Sequence, residues 1–341
     1  MTTADSAESR LRAYAQFVAA VLFYFVAVSV ARHSALGLVS PAWRPLVRQG
    51  ILVFLLLAGY ASMGFWFNRQ LHPIREQGLP LRKGWLREAG IGLAVGWAVA
   101  LICVLPMVLA GGIAILFFTQ PSAWGWLAAD AAFFALFALA EEVAFRGYAF
   151  QRFVQAVGPL AATLGFAAYY AVVQSLLPGA SVASFAVAIA LSLVLSAAYL
   201  RTRALWVSWG INFGWKAGRA LIFGLAVMGM DNHSPVIQGN PMSRFWLSGG
   251  SFGLDGSWIS SVVLLAALPL VFRVTRELDF LYNAPELIPA GIPVDIDAAA
   301  RAQYQAAQRP ASDKPVDVVA TPPAKDSIAE PGQVGNYTEP R

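Results

Sequence analysis

Long runs of apolar residues recur along most of this 341-residue chain. A helix rises about 1.5 Å per residue, so about 20 apolar residues are needed to cross the hydrocarbon core of a bilayer. Such runs lie at 14–31, 50–67, 90–118, 124–148, 157–176, 181–199, 205–229 and 257–272. Because lipid offers no partner to an unpaired backbone group, a chain of this kind folds into helices. The sequence predicts an all-α fold, a polytopic transmembrane helical bundle of about eight helices.

Two of these runs carry further information. The first follows two arginines and resembles a signal peptide, but it lacks a small-residue cleavage site and another run follows soon, so we expect a retained helix. The run 90–118 is long for one crossing and is predicted to tilt, or to bend near Gly111 and Gly112. Its Gly92 and Gly96, four residues apart, favour close packing against another helix.

The composition agrees with a membrane protein. Hydrophobic residues make up 58% of the chain and charged residues 13%, whereas soluble domains are about 45–50% apolar and about 25% charged. The formal charge of +5 comes from cations in short loops rather than from one patch. This distribution predicts membrane lipid as a partner and no nucleic acid. The single cysteine, Cys103, excludes a disulfide framework and a CxxC metal pair.

The distribution of arginine and lysine among the loops predicts the orientation. With the N-terminus in the cytoplasm, the inner loops and ends hold about three times as many of these cations as the outer loops. We therefore expect a multi-pass protein of the cytoplasmic (inner) membrane with both termini in the cytoplasm. The loop 68–89 is then inside and the loop 231–256 is outside.

Charged residues inside the apolar runs are the candidates for function, because an ionisable group at membrane depth is costly unless it faces the bundle interior. They fall on two predicted helices. The fourth carries Asp130, Glu141, Glu142 and Arg146, and the seventh carries Ser208, Asn212, Lys216 and Arg219. Helical spacing puts Asp130 and Glu141 on one face of the fourth helix and the four polar residues of the seventh on one stripe. The helical rise predicts that Lys216 lies near Glu141 or Glu142, and that Arg219 is close enough to Asp130 for a direct or water-bridged ion pair.

Three stretches resemble the motifs of one family. The stretch EEVAFRGY at 141–148 matches the EExxxR motif of the CPBP intramembrane proteases. The stretch LWVSWGINFGWK at 205–216 is similar to the third motif of that family, LWxxIxxHxxWN. The stretch WLSGGSFGLDG at 246–256 is similar to a glycine-rich outer loop of its bacterial members. The family includes type II CAAX prenyl endopeptidases and bacteriocin-processing or abortive-infection-like proteins.

The resemblance implies a domain organisation. Residues 1–84 would form N-terminal transmembrane helices and a cytoplasmic loop, and residues 85–276 a CPBP-like intramembrane protease domain. Residues 277–341 are rich in alanine, proline, aspartate and glutamine with few aromatics, a composition that predicts a disordered cytoplasmic tail.

The resemblance also implies a hydrolase that cuts peptides within the membrane. In the family, the first glutamate of EExxxR is a general base on water, the second glutamate and the arginine orient it, and two histidines assist it or bind metal. Here Glu141 matches the base, and Glu142 with Arg146 matches the orienting pair. The substrate would be a hydrophobic or prenylated peptide or a membrane protein.

The histidines of the family pattern are missing from this chain. The second motif, FxxxH, aligns with FAAYY at 166–170 and puts Tyr170 at the histidine, while counting back from Pro178 and Gly179 nominates Gln174 instead. In the third motif Asn212 replaces the histidine and Lys216 replaces the asparagine. The three histidines of the chain fall in predicted loops. Since catalytic zinc needs about three protein ligands, we expect no catalytic zinc and no other cofactor.

Two functions therefore stay open. In the first, the chain is an active endopeptidase with Glu141 as general base, Tyr170 or Asn212 donating to the oxyanion, and Lys216 as an electrostatic stabiliser. In the second, it is a catalytically degenerate relative that binds peptides or partner proteins without cleaving them, and its cations only neutralise buried carboxylates.

Overall fold

The computed structural model describes residues 3–230, 236–278, 285–287 and 293–295, with side chains from residue 7 to residue 278 within these ranges. The chain divides into two units, Met1–Ala284 and Pro285–Arg341. The helices of the first unit are α1 Thr3–Leu38, α2 Arg44–Asn68, α3 Pro73–Glu76, α4 Trp85–Leu109, α5 Pro121–Arg146, α6 Tyr148–Val157, α7 Pro159–Ser175, α8 Val182–Thr202, α9 Leu205–Ala217, α10 Phe245–Ser248, α11 Trp258–Ala266 and α12 Leu268–Val274. The described part of this unit also contains the strands β1 Ile113–Phe117 and β2 Ile237–Pro241.

The predicted all-α polytopic fold is confirmed. Among the described residues, five helical segments are long and apolar enough to cross a membrane, and they are Ala7–Leu38, Pro41–Asn68, Trp85–Leu109, Pro121–Val157 and Val182–Thr202. The remaining predicted spans correspond to the shorter helix α7, to α9, and to the pair α11 and α12. Proline occupies the first turn of α2, α5, α7 and α12, where the missing N–H costs no helical hydrogen bond.

The longest apolar run, 90–118, is not one helix. Helix α4 ends at Leu109, and Gly111 adopts the left-handed region with φ of 71°. Residues 113–117 then form β1, which pairs antiparallel with β2. The bend expected near Gly111 and Gly112 is thus a complete exit from the helix, because glycine takes a positive φ without a steric cost.

The predicted span 205–229 is also shorter in the structure. Helix α9 ends at Ala217 and continues as one π-helical turn, Gly218–Ile222, after which the chain leaves the helix. A π turn is wider than an α turn, so the residues after it face a different direction from the one that α-helical spacing predicts. Arg219 is the second residue of this turn.

Helices α4 and α9 pack backbone to backbone. Gly92 and Gly96 of α4 face Gly210 and Gly214 of α9, and a Cβ atom added to Gly214 would lie 2.6 Å from the carbonyl oxygen of Leu93. The close packing predicted from the glycine spacing is therefore confirmed. Small residues at such a contact let two helices approach until main-chain atoms touch. This contact fixes α9, which carries two of the predicted site residues.

The second unit contains two short strands in the part of the chain that is described. These strands, β3 Pro285–Leu287 and β4 Pro293–Asp295, pair antiparallel. Most of the predicted disordered tail, 277–341, lies outside the described residues, and the predicted domain boundaries stay predictions.

The orientation can be tested with two exposed positions. Asn240 lies on β2 in the predicted outer loop, and Arg75 lies on α3 in the predicted inner loop. In a Cys103→Ala background, we expect a cysteine at residue 240 to react with an impermeant thiol reagent in intact cells. A cysteine at residue 75 should react only after the cells are opened. The reverse pattern would contradict the cytoplasmic assignment of the termini.

Candidate functional site

Glu141, on α5, is the centre of a buried polar cluster. Its side chain lies at the inner wall of a cavity, with 6% of the residue exposed. Its Oε1 accepts hydrogen bonds from the Tyr170 hydroxyl at 3.2 Å and from Gln174 Nε2 at 3.1 Å. Its Oε2 accepts from Asn212 Nδ2 at 2.9 Å and from Lys216 Nζ at 2.7 Å. Four donors from two other helices therefore hold this one carboxylate.

Two helices supply these donors in pairs separated by four residues. Tyr170 and Gln174 are one turn apart on α7, and Asn212 and Lys216 are one turn apart on α9, so each pair lies on one helical face. Lys216 Nζ also donates to Asn212 Oδ1 at 2.6 Å. The sequence left Tyr170 and Gln174 as alternatives for one motif position, and the structure brings both to Glu141.

Glu142 and Arg146 form a second buried pair behind Glu141. Arg146 Nη1 lies 3.4 Å from Glu142 Oε1, and both side chains have no exposed surface. Arg146 Nη2 also donates to Ser192 Oγ on α8 at 2.9 Å. Asn212 Nδ2 donates to Glu142 Oε1 at 3.0 Å as well as to Glu141. The amide of Asn212 thus connects the two glutamates.

The predicted contact between Lys216 and Glu141 is confirmed at 2.7 Å. The Lys216 ammonium also lies 5.1 Å from the centre of the Phe137 ring, which gives it a favourable cation–π contact. Its side chain has no exposed surface. The six site residues predicted from the sequence, Glu141, Glu142, Arg146, Tyr170, Asn212 and Lys216, therefore lie in one connected cluster.

The predicted pair between Arg219 and Asp130 is wrong. Arg219 Nη2 lies 2.7 Å from Asp255 Oδ2, and its guanidinium stacks on Trp215 at 4.3 Å from the ring centre. Asp130 instead lies beside Trp43 and Trp126, close to the turn between α1 and α2. Depth explains the difference, because Arg219 is only three residues, about 4.5 Å, beyond Lys216, whereas Asp130 is eleven residues, about 16 Å, from Glu141.

Asp255 is a buried carboxylate that the motif comparison did not single out. Besides Arg219, it accepts hydrogen bonds from Trp215 Nε1 at 3.3 Å and from the backbone N–H of Met228 at 3.0 Å. It lies in the stretch at 246–256 that resembles the glycine-rich loop. The sequence signal that could have identified Asp255 is the presence of a carboxylate in an otherwise apolar, glycine-rich segment. Its contacts fasten this segment to the end of α9.

A cavity of about 530 Å³ reaches Glu141. Helices α1, α2, α5 and α7 line it, together with residues 177–178 and 228–230. Most lining side chains are apolar, and Phe137, Phe145 and Tyr24 lie close to Glu141 along this wall. Its size and apolar lining are typical of a ligand pocket with a few convergent polar groups.

The residues around Glu141 do not fit a catalytic zinc ion. Zinc requires imidazole, thiolate or carboxylate ligands, whereas Glu141 is surrounded by a phenol, two amides and an ammonium that repels a cation. Within the described ranges, no three His, Cys, Asp or Glu side chains are grouped so that they could hold a metal. His33 is exposed on α1 rather than in the predicted loop, and His72 is exposed beside α3.

This donor set leads to a prediction about metal content. We expect the purified protein to carry well under one equivalent of zinc, measured by elemental mass spectrometry, and a chelator to leave its thermal unfolding unchanged. One zinc per chain that is retained on dialysis and lost in a Glu141→Gln variant would contradict this assignment.

The comparison with known families points to the same part of the chain. The sequence model of the family described as type II CAAX prenyl endopeptidase, Rce1-like, matches residues 120–218. The matched range contains Glu141 and the four side chains that donate to it, and it ends at the start of the π turn. No curated protein and no solved structure matches the chain.

Proposed function

Because residues 120–218 belong to the Rce1-like family of type II CAAX prenyl endopeptidases, we propose that this multi-pass membrane protein is an intramembrane endopeptidase with Glu141 as general base. Its substrate is a hydrophobic or prenylated peptide, or the end of a membrane protein, bound in the cavity beside Glu141. The observation that carries this proposal is the contact of Glu141 with Lys216 at the wall of an apolar cavity.

The proposed reaction begins with a water molecule in the cavity. Glu141 takes a proton from the water, and the hydroxide oxygen forms a bond to the carbonyl carbon of the peptide. The negative charge then moves from Glu141 to the carbonyl oxygen. The neutral Glu141 carboxyl next gives its proton to the leaving nitrogen as the carbon–nitrogen bond breaks. The products are a carboxylic acid and an amine.

Lys216 has a defined part in this charge movement. In the resting site its ammonium faces the Glu141 carboxylate at 2.7 Å. When Glu141 becomes neutral, the same ammonium stabilises the new oxyanion, so the total charge of the site does not change during the step. Asn212 is a second donor for the oxyanion. Glu142 and Arg146 are positioning residues, because their buried pair is linked to Glu141 through Asn212 and through the Tyr170 ring on which Arg146 lies.

A cleavage assay tests the proposal. The full-length protein in lipid nanodiscs is incubated with a panel of prenylated and unprenylated membrane peptides, and products are identified by mass spectrometry. We expect the wild type to release fragments and Glu141→Gln to release none above background. Glu8→Gln is the matched control, because Glu8 is 79% exposed on α1, and it should retain full activity. Equal cleavage by wild type and Glu141→Gln would exclude Glu141 as the base.

A second function is favoured by the number of donors around Glu141. An ionised carboxylate offers about four acceptor positions, and four donors lie within hydrogen-bond distance of it. A water molecule must displace one of them before Glu141 can take a proton. If none is displaced, the cavity holds a membrane peptide without cutting it. Binding of the panel without cleavage by the wild type would identify this degenerate relative.

A further inference from the structure

The cavity beside Glu141 has a second polar end that the proposed mechanism does not use. Arg32 of α1 and Arg48 and Gln49 of α2 line it near the turn that joins these two helices. Between this end and Glu141 the wall contains apolar side chains such as Val28 and Leu52. The cavity therefore combines two polar ends with an apolar middle.

Gln49 has an unmet hydrogen-bonding requirement. Only 3% of this residue is exposed, and its Oε1 has no hydrogen-bond partner. A buried acceptor without a partner costs about 1–3 kcal/mol, so such groups in native proteins call for an explanation. A donor from a ligand in the cavity would supply the missing bond.

The two arginines at this end lack a carboxylate partner in the described part of the chain. The ion pairs among the described residues use other cations, namely Arg12, Arg82, Arg146, Lys216 and Arg219. Arg48 is half-buried and Arg32 is exposed. Among the described residues that line the cavity, Glu141 is the one acid, and it already contacts Lys216. Two adjacent guanidinium groups favour a planar anion such as a carboxylate, which they bind through paired hydrogen bonds.

The distance between the two ends follows from α1. Tyr24 packs edge-to-face on Phe145, four residues after Glu141, with ring centres 5.5 Å apart. Arg32 is eight residues further along α1, and at about 1.5 Å per residue it lies about 12 Å from the level of Tyr24. An extended peptide advances about 3.3 Å per residue. Because α5 runs antiparallel to α1 in the predicted orientation, Glu141 lies one turn, about 6 Å, closer to Arg32 than Phe145 does. About two residues of an extended peptide therefore separate Glu141 from Arg32.

We propose that Arg32, Arg48 and Gln49 form the anion-binding end of the cavity, where they hold a carboxylate of the bound peptide about two residues from the bond at Glu141. The arginines bind the carboxylate, and Gln49 Oε1 accepts an N–H of the peptide next to it. The carboxylate comes from a C-terminus or from an acidic side chain. This inference rests on the proposed function in one respect, that the cavity holds a peptide.

A binding experiment separates this inference from cleavage. A fluorescent membrane peptide ending in four apolar residues is prepared with a free C-terminal carboxylate, with a C-terminal amide, and as the amide with an aspartate at the last position. Dissociation constants are measured by anisotropy with the full-length Glu141→Gln protein in nanodiscs of zwitterionic lipid. We expect the plain amide to bind about 10- to 100-fold more weakly than the acid. Recovery by the aspartate peptide identifies an acidic side chain as an equivalent source.

The arginine variants provide the matched comparison. Arg48→Gln and Arg32→Gln should each weaken binding of the acid peptide and leave that of the amide unchanged. Arg44→Gln, one turn earlier on α2 and outside the cavity lining, should change neither. Equal affinity for acid and amide would overturn the inference and leave the proposed function intact. The same holds if Arg48→Gln has no effect in zwitterionic lipid and has one only when the assay is repeated in nanodiscs that contain anionic lipid. Failure of all three peptides to bind would overturn both.

Discussion

Replacing Lys216 with methionine is expected to lower the free energy of unfolding by about 3–5 kcal/mol, the usual cost of removing one partner of a buried ion pair. The Lys216 side chain has no exposed surface and lies 2.7 Å from Glu141. Tyr170, Gln174 and Asn212 would still donate to the carboxylate, but none of them carries a charge. The loss can be measured by reversible unfolding in mixed micelles with increasing dodecyl sulfate.

Two further variants make the result specific to the pair. Lys83→Met removes the same charge from an exposed position and should change stability by less than about 0.5 kcal/mol. The double variant Lys216→Met with Glu141→Gln removes both charges and should be more stable than Lys216→Met alone. If the double variant loses the sum of the two single losses, the two side chains are energetically independent and the assigned pairing is wrong.

Replacing Gly96 with alanine is expected to destabilise the protein by at least about 3 kcal/mol, above the usual range for overpacked side chains. A Cβ atom there would overlap the backbone carbonyl of Ile211 and would lie 2.8 Å from the backbone nitrogen of Trp215. Main-chain atoms cannot rotate away as a side chain can, so α4 and α9 must separate. Since α9 carries Asn212 and Lys216, the contacts of Glu141 should weaken in the same variant.

Gly90→Ala is the matched control, because Gly90 lies on the same helix but does not contact another helix. It is exposed, and nothing lies within 4 Å of a Cβ atom built there. Alanine favours helix over glycine by up to about 1 kcal/mol, so Gly90→Ala should stabilise α4 slightly. Opposite signs for Gly90→Ala and Gly96→Ala in one unfolding assay would confirm the backbone contact. Similar small effects would contradict it.

Helical spacing was sufficient to predict most of the candidate site. Glu141 and Lys216 lie on regular stretches of α5 and α9, where a fixed rise and rotation per residue relate sequence distance to depth and direction. The same regularity explains why Tyr170 and Gln174 could not be separated from the sequence. They are one turn apart, so both reach the same carboxylate oxygen.

The parts that sequence reasoning missed lie where this regularity ends. Arg219 lies in a π turn, and its partner Asp255 lies in a segment of short turns that has no periodic pattern. Residues 113–117 form a strand inside an apolar run, and a short apolar segment has the same composition in a strand as at the end of a helix. The secondary structure of such a segment depends on the part of the protein that it packs against, which the sequence alone does not specify.

The polar cluster of this protein contains two carboxylates, Glu141 and Glu142, and two cations, Arg146 and Lys216. A separate ion pair, Arg219 with Asp255, contains one charge of each sign. The membrane voltage acts on charge at about 2.3 kcal/mol per elementary charge for each 100 mV. Because each group has no net charge, a displacement of the whole cluster along the membrane normal does no net electrical work. The position of these two groups along the membrane normal should therefore be the same in energised and de-energised membranes.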